Sequence, residues 1–262
     1  MVRSGFEAKP AWRSLGSNAM KNLDVKQFAQ YGVATVYEAA NRSGLIDVPL
    51  IQIVPGSRAA GPARTVRCGQ ADNLMVHAVL DQVQPGEVLV LTMPEPEPVS
   101  LVGELLATQA LVRQVAALLI DAAVRDSEEL RSLGLPIWTR WIRARGATKT
   151  KVGTINEPVV MGGTTIAPGD IVLLDADGAV VVAAQQATRV LEAAQAREAH
   201  ETALRSKLQA GALTYDLHGL RKLVEGGTRL NIHFLTSKPG SFVKKLILIS
   251  SSIFAGITLT AS

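Results

Sequence analysis

The stretch that most restricts this chain is residues 103–130, GELLATQALVRQVAALLIDAAVRDSEEL, where Gln109, Arg113, Gln114 and Asp121 are the only strongly polar residues between Leu105 and Val124. A run this apolar has to be buried. It nevertheless opens on Gly103-Glu104 and closes on Arg125-Asp126, so ionisable groups are carried to the ends of buried elements. Such ends hold helix caps, and they also hold chemistry. The pattern predicts a buried helix over 100–117, a parallel strand in ALLID, a helix in SEELRSLG turned off at Gly134, and a further strand in LPIWTRW.

The flanking sequence alternates in the same way. Residues 24–44 read as one helix with Asp24 as N-cap, or as two short ones broken at Gly32. LIQIV and ARTVRC read as strands punctuated by Pro49, Pro55, Gly56, Gly61 and Pro62. Residues 71–84 return to a helical period with Leu74, Val76, His77, Leu80 and Val83 near one face. PGEVLVLTMP is a turn and a buried strand. APGDIVLLDADGAVVVAA repeats that device and adds a hairpin of strands 171–174 and 179–184 around Asp175 to Gly178. A long polar helix follows, with apolar spots at Val190, Leu191, Ala194, Leu204 and Leu208, and Gly211 stops it. The order defines an α/β layered domain. It predicts an extension over 1–22, one domain over 23–227 and an apolar tail over 228–262.

Composition excludes several classes. With 262 residues and 47% apolar content the chain has ample core, and its net charge of +4 is dispersed rather than gathered on a face. At 4% aromatic residues it lacks the stacking surface of a nucleic-acid binder. Cys68 is the only cysteine, which excludes an internal disulfide and a Cys-ligated zinc site and fits a reducing compartment. Residues 1–20 lack the apolar core of a signal peptide, so the expectation is a cytoplasmic protein. The tail KKLILISSSIFAGITLTAS is rich in Ser and Thr and shorter than the ~20 apolar residues of a spanning helix, so no membrane partner is expected.

Each candidate residue carries two readings. Asp126, just beyond a strand's C-terminal end, can hold a divalent cation, and Arg125 can meet a developing anion; or Asp126 caps the next helix while Arg125 pairs on the surface. The amides of Glu104, Leu105 and Leu106 after Gly103 can cradle a carboxylate; or Glu104 merely favours a first turn. His77 reads as a core histidine, or with Asn73 as a pocket wall. Arg140, Arg143, Arg145 and Lys149, interleaved with Trp138 and Trp141, read as carboxylate binders or as a solvated edge. Lys149 or Lys151 as a Schiff base lacks an apolar setting, and Cys68 reads as packing.

The spacing Gly103-Glu104, twenty residues, Arg125-Asp126, two residues, Glu129 resembles the signature of the class II pyruvate aldolases that cleave 4-hydroxy-4-methyl-2-oxoglutarate and 4-carboxy-4-hydroxy-2-oxoadipate. The likeness runs from about Tyr31 to Lys222 and includes ADNLMVHAVL, GELLATQA, IDAAVRD, LPIWTRW, ARGATKTKVGTIN and YDLHGLRK. It implies a swivelling-type β core flanked by helices, shared with the regulators of ribonuclease activity, in trimers or hexamers with sites between subunits. It further implies that Asp126 binds Mg²⁺ or Mn²⁺ and that Arg125 neutralises an enolate. The amides after Gly103 would hold the pyruvyl carboxylate, and Glu104 would order water on the metal. In the relatives a glutamate of the long helix reaches the neighbouring subunit's site; Glu201 falls at that place, with Glu198 one turn away. Two departures stand out: Glu104 occupies a position where many relatives carry Asp, and from Thr228 the relatives' short ending gives way to the tail. The resemblance thus implies a metal-dependent lyase releasing pyruvate, with oxaloacetate decarboxylation as a side activity; the alternative on this fold is a protein-binding regulator of ribonuclease activity.

Overall fold

A strand buried on both faces needs apolar side chains at consecutive positions, and several segments of this chain meet that demand. The computed structural model describes residues 25–225; Asp24, the 1–22 extension and the 228–262 tail lie outside the described residues. Two compact units are distinguished, one up to Leu204 and one from Arg205 onward.

The first unit begins with a 3₁₀ turn, Val25–Gln30, and α1, Val33–Ala39, with Gly32 between them. The strands are β1 (Ile51–Gln52), β2 (Ala59–Arg67), β3 (Val88–Thr92), β4 (Ser100–Val102), β5 (Ala117–Val124), β6 (Ile137–Ile142), β7 (Thr154–Ile155), β8 (Val159–Met161), β9 (Thr164–Ile166), β10 (Ile171–Asp175) and β11 (Gly178–Val182). Helices α2 (Leu74–Gln82), α3 (Glu104–Val112) and α4 (Ser127–Leu133) alternate with them, and α5 (Ala187–Gln209) is the long helix. The second unit holds the end of α5 and two short helices, α6 (Thr214–Leu217) and α7 (Arg221–Glu225).

The main sheet has the order β1-β6-β5-β3-β2-β10-β11, with β4 beside β5 and β7 beside β2, and it is nearly closed on itself. Its centre, β2, β3, β5 and β6, is parallel, while β10 and β11 are antiparallel. Successive parallel strands are laid side by side through α2, α3 and α4. Right-handed crossovers made in one direction put their helices on the same face. Accordingly Val79, Ala107 and Leu130 from these helices share one cluster with Leu89, Leu91, Leu118 and Ile120. The alternate residues Val88, Val90, Ala117 and Leu119 turn the other way, packing with Trp138, Val172 and Leu174. A third cluster sets α1 and the first half of α5 against Ile171, Leu173, Val180 and Val182. The expected α/β layered core with flanking helices and a long late helix is therefore what the chain builds.

Several boundaries differ from the sequence reading, each for a physical reason. Residues 100–117 are not one helix: β4 occupies Ser100–Val102 because β5 is longer than its neighbour β3, and β4 extends the same edge by pairing at Ala123 and Val124. Met75, Val76, Val79 and Leu80 form the buried face of α2, while His77 is exposed. β6 is no solvated edge, because it lies between β1 and β5 with Trp138 buried, and the indole N–H donates to the Asp175 carbonyl at 2.8 Å. The short strands β7, β8 and β9 gave no signal strong enough to predict.

Candidate active site

The site begins at the join between β4 and α3, which is one residue long. Gly103 is extended (φ −125°, ψ −170°) and α3 starts immediately after it. A side chain fits there only if its neighbours shift, since a Cβ on Gly103 would collide with Asp126 Oδ2 and come within 3.1 Å of Arg125 Nε. The glycine is therefore the floor on which both candidate side chains rest.

Arg125 and Asp126 follow β5, whose eight residues are all buried. In continuing extended chain, neighbours would point to opposite sides. Asp126 instead adopts the left-handed conformation, φ 56° and ψ 45°, a conformation that Asp tolerates better than most residues. Its carbonyl starts α4 by accepting from Leu130 N–H at 2.9 Å, but its carboxylate makes no cap bond to α4. Oδ2 accepts from the Glu104 N–H at 3.0 Å and lies 3.7 Å from Arg125 Nε. The helix-cap reading of Asp126 is thereby set aside: its side chain serves the N-terminus of α3, a helix it does not begin. Arg125 and Asp126 are about half exposed, so both are available to a ligand.

These groups line a cleft of ≈ 150 Å³ together with Asn73, His77, Ser100, Leu101, Gly103, Leu105, Leu106, Ala147 and Lys149. Of the site residues expected from sequence, the structure brings Gly103, Leu105, Leu106, Arg125 and Asp126 together here. Glu104 contributes its amide to Asp126, while its carboxylate turns along the helix to accept from the Thr108 hydroxyl at 2.9 Å. At the start of an α-helix the first amides have no carbonyl one turn earlier to bond, which leaves Leu105 and Leu106 N–H as donors beside Asp126. Glu201 lies on α5, 2.8 Å from Arg197, and is not part of the cleft lining. Glu198 accepts from the Thr202 hydroxyl at 3.4 Å.

The basic cluster does not converge as a set. Arg140 pairs with Asp121 at 3.0 Å and stacks on Trp141, Arg143 donates to the Ile142 carbonyl, and Arg145 lies 3.8 Å from Glu97. Only Lys149 reaches the cleft. Although His77 is exposed, the partial desolvation of its ring and, secondarily, the Lys149 charge lower its pKa from the ordinary value. Lys151 Nζ is spent on the Gln70 carbonyl at 2.7 Å. Burial, with the Asp72 charge, raises the Cys68 thiol to about 12, which agrees with a packing role.

Sequence reasoning did not single out Ser100, Leu101, Ala147 or Asp72. Asn73 is more telling: its Nδ2 donates to the Leu101 carbonyl at 2.9 Å, whereas its buried Oδ1 has no partner. The reading of Asn73 with His77 as a pocket wall matches the cleft lining, whereas Asp72 beside it looks like an ordinary helix cap in sequence, which is why nothing marked it.

Whether these residues suit a divalent metal turns on the donor set. Among the described residues no three His, Cys, Asp or Glu side chains cluster as a metal cage. Mg²⁺ does not require one, since it keeps several waters and binds through one or two carboxylates plus ligand oxygens. A half-exposed carboxylate beside an open cleft fits such an ion.

The sheet, its helices and a cleft at the strand ends define a swivelling-type α/β protein with a candidate ligand site. The chain belongs to the RraA-like family described as Aldolase/RraA, whose sequence profile matches residues 33–181. A relative from Halalkalibacterium halodurans, provisionally named 4-hydroxy-4-methyl-2-oxoglutarate aldolase, is 34% identical over 143 residues, 55% of this chain and 68% of its own. A solved structure of Streptomyces coelicolor RraAS2, described as an unusual member of the RNase ES inhibitor RraA protein family, is 28% identical with TM-score 0.62, covering 69% of this chain and 94% of that one. The RNA-processing inhibitor RraA from Thermus thermophilis is 26% identical with TM-score 0.53, covering 58% and 92%.

Proposed function

We propose that this protein is a carbon–carbon lyase of the class II pyruvate aldolase type. It would cleave 4-carboxy-4-hydroxy-2-oxoadipate or 4-hydroxy-4-methyl-2-oxoglutarate to pyruvate plus oxaloacetate or a second pyruvate, as in the catabolism of aromatic compounds. The observation that carries this reading is the convergence of Arg125, Asp126 and the first turn of α3 on one cleft.

Asp126 would hold the Mg²⁺ or Mn²⁺, which when bound polarises the 2-oxo group as a Lewis acid. The Leu105 and Leu106 amides hold the pyruvyl carboxylate, aided by the positive end of α3. Arg125 presents its guanidinium to the C2 oxygen, where charge collects as the C3–C4 bond breaks. The C4 hydroxyl must lose its proton in the same event. Glu104, after turning away from Thr108, orders the water that takes it, with Glu201 of a neighbouring subunit as its aid. C3 then regains a proton and pyruvate leaves. Oxaloacetate loses CO₂ through the same enolate, so decarboxylation is a side activity. The assembly is a homotrimer or homohexamer in the cytoplasm, with no nucleic acid among its partners.

The inhibitor names of the Streptomyces coelicolor and Thermus thermophilis relatives favour a second reading, a protein-binding regulator needing neither metal nor cleft. Following oxaloacetate decarboxylation with Mg²⁺ and then with EDTA separates the two. Turnover that chelation abolishes supports the lyase; no turnover of oxaloacetate or of either hydroxy-oxo acid, with any added divalent ion, rejects it.

A further inference from the structure

Residues 143–151 carry little regular structure, only the isolated bridges of Gly146 to Ser100 and Thr148 to Asp72. Even so, this strap furnishes Ala147 and Lys149 to the cleft. Gly146 abuts the functional arginine as well: a Cβ there would lie 2.7 Å from Arg125 Nη1. Something must hold the strap.

Its first half is held by Ser100, whose N–H donates to the Arg145 carbonyl at 2.8 Å and whose hydroxyl donates to the Arg143 carbonyl. Its second half closes on Asp72, which is fully buried. Asp72 Oδ2 accepts from the Thr148 hydroxyl at 2.6 Å, from Thr150 N–H at 2.6 Å and from Lys151 N–H at 3.1 Å, while Oδ1 accepts from Leu74 N–H at 2.9 Å. Burial would raise this carboxyl, but the four donors outweigh it and hold its pKa below the ordinary range. An ionised acceptor makes stronger, shorter hydrogen bonds than a neutral one. Ala71 next to it sits at φ 54°, a backbone cost that persists only where its surroundings enforce it. The carboxylate itself lines no part of the cleft.

We propose that Asp72 is a positioning residue of this site: by gripping residues 148–151 it keeps Gly146 against the Arg125 guanidinium and Lys149 on the cleft wall. Binding and turnover of a 2-oxo acid therefore depend on it. This rests on the lyase reading above. Misplacing a reacting group by about 1 Å costs on the order of 10²-fold, so a loosened strap is visible in kinetics even when the fold survives.

The test uses the full chain with Mg²⁺ and three variants, Asp72→Asn, Thr148→Val and Thr148→Ser. Asp72→Asn is expected to speed hydrogen exchange at the Thr150 and Lys151 amides. It should also lower kcat/KM for oxaloacetate by roughly 10²-fold and weaken calorimetric binding of oxalate, an enolate mimic. Thr148→Val removes one donor without touching the buried acid, so it reports even if Asp72→Asn does not fold. It should give a smaller loss in the same three readouts, and Thr148→Ser should recover them. Faster exchange with unchanged turnover and oxalate affinity overturns the proposal, as does a lower Tm with full specific activity. Wild-type protein that neither turns over oxaloacetate nor binds oxalate removes the lyase reading, and this inference falls with it. Active wild type matched by all three variants removes this inference alone.

Discussion

At the scale of single residues, the site depends on two side chains that share a floor. Arg125→Ala should lower kcat for oxaloacetate decarboxylation by ~10²-fold or more, with KM moving less, because in the proposed reaction its charge acts chiefly as the enolate forms; steady-state kinetics checks it, and a kcat near wild type rejects the role. Gly103→Ala places a methyl group against Asp126 Oδ2. The atom it meets most closely is the end of a side chain, which can move, so activity should fall while thermal stability changes little; paired Tm and rate measurements decide. The Gly-Glu…Arg-Asp quartet was legible in the sequence because its spacing is a family resemblance. So was Asn73, four residues before His77 on one helical face, as a pocket wall; Asp72 was not, because an acid before a helix looks like an ordinary cap until the strap is seen to fold over it.

At the scale of elements, the two Pro-Gly-acid turns before strands were legible, but what their acids do was not. Gly86 and Gly169 both turn at positive φ, 84° and 88°. Asp170 then binds the Ala167 and Ala184 amides. Glu87 reaches across to Arg64 with bonds of 2.7 and 2.9 Å, both side chains being buried. Breaking such a pair leaves an uncompensated buried charge, so Glu87→Ala should destabilise the fold by ~3–5 kcal/mol, measurable by urea denaturation. On β5, burial raises Asp121 above its ordinary 3.8 while Arg140 pulls it partly back. The native state then holds that proton more tightly than the unfolded chain, so this residue's contribution to stability declines as pH rises from 3.8 through the raised value. Asp121→Asn should flatten that decline in Tm measured against pH. The split of residues 100–117 into β4 and α3 escaped prediction because Ser-Leu-Val is too short to show a period of two.

At the scale of the whole molecule, the strand and helix alternation gave the layered core, since long apolar segments speak in composition alone, whereas β7, β8 and β9 depend on distant partners. The assembly supplies a separate expectation. If Glu201 serves a neighbouring subunit, mixing inactive Arg125→Ala and Glu201→Ala proteins under exchange conditions should restore part of the activity, because some sites then draw both residues from intact parents. Mixtures no more active than their components would confine the site to one chain. Position 126, finally, is narrowed twice over. Its left-handed turn rejects β-branched and bulky residues, and the metal-holding role proposed for it demands an anionic oxygen. Asparagine meets the first requirement without the second, so one atom's exchange could retire the catalyst and leave an intact scaffold, a short evolutionary step from enzyme to binding protein.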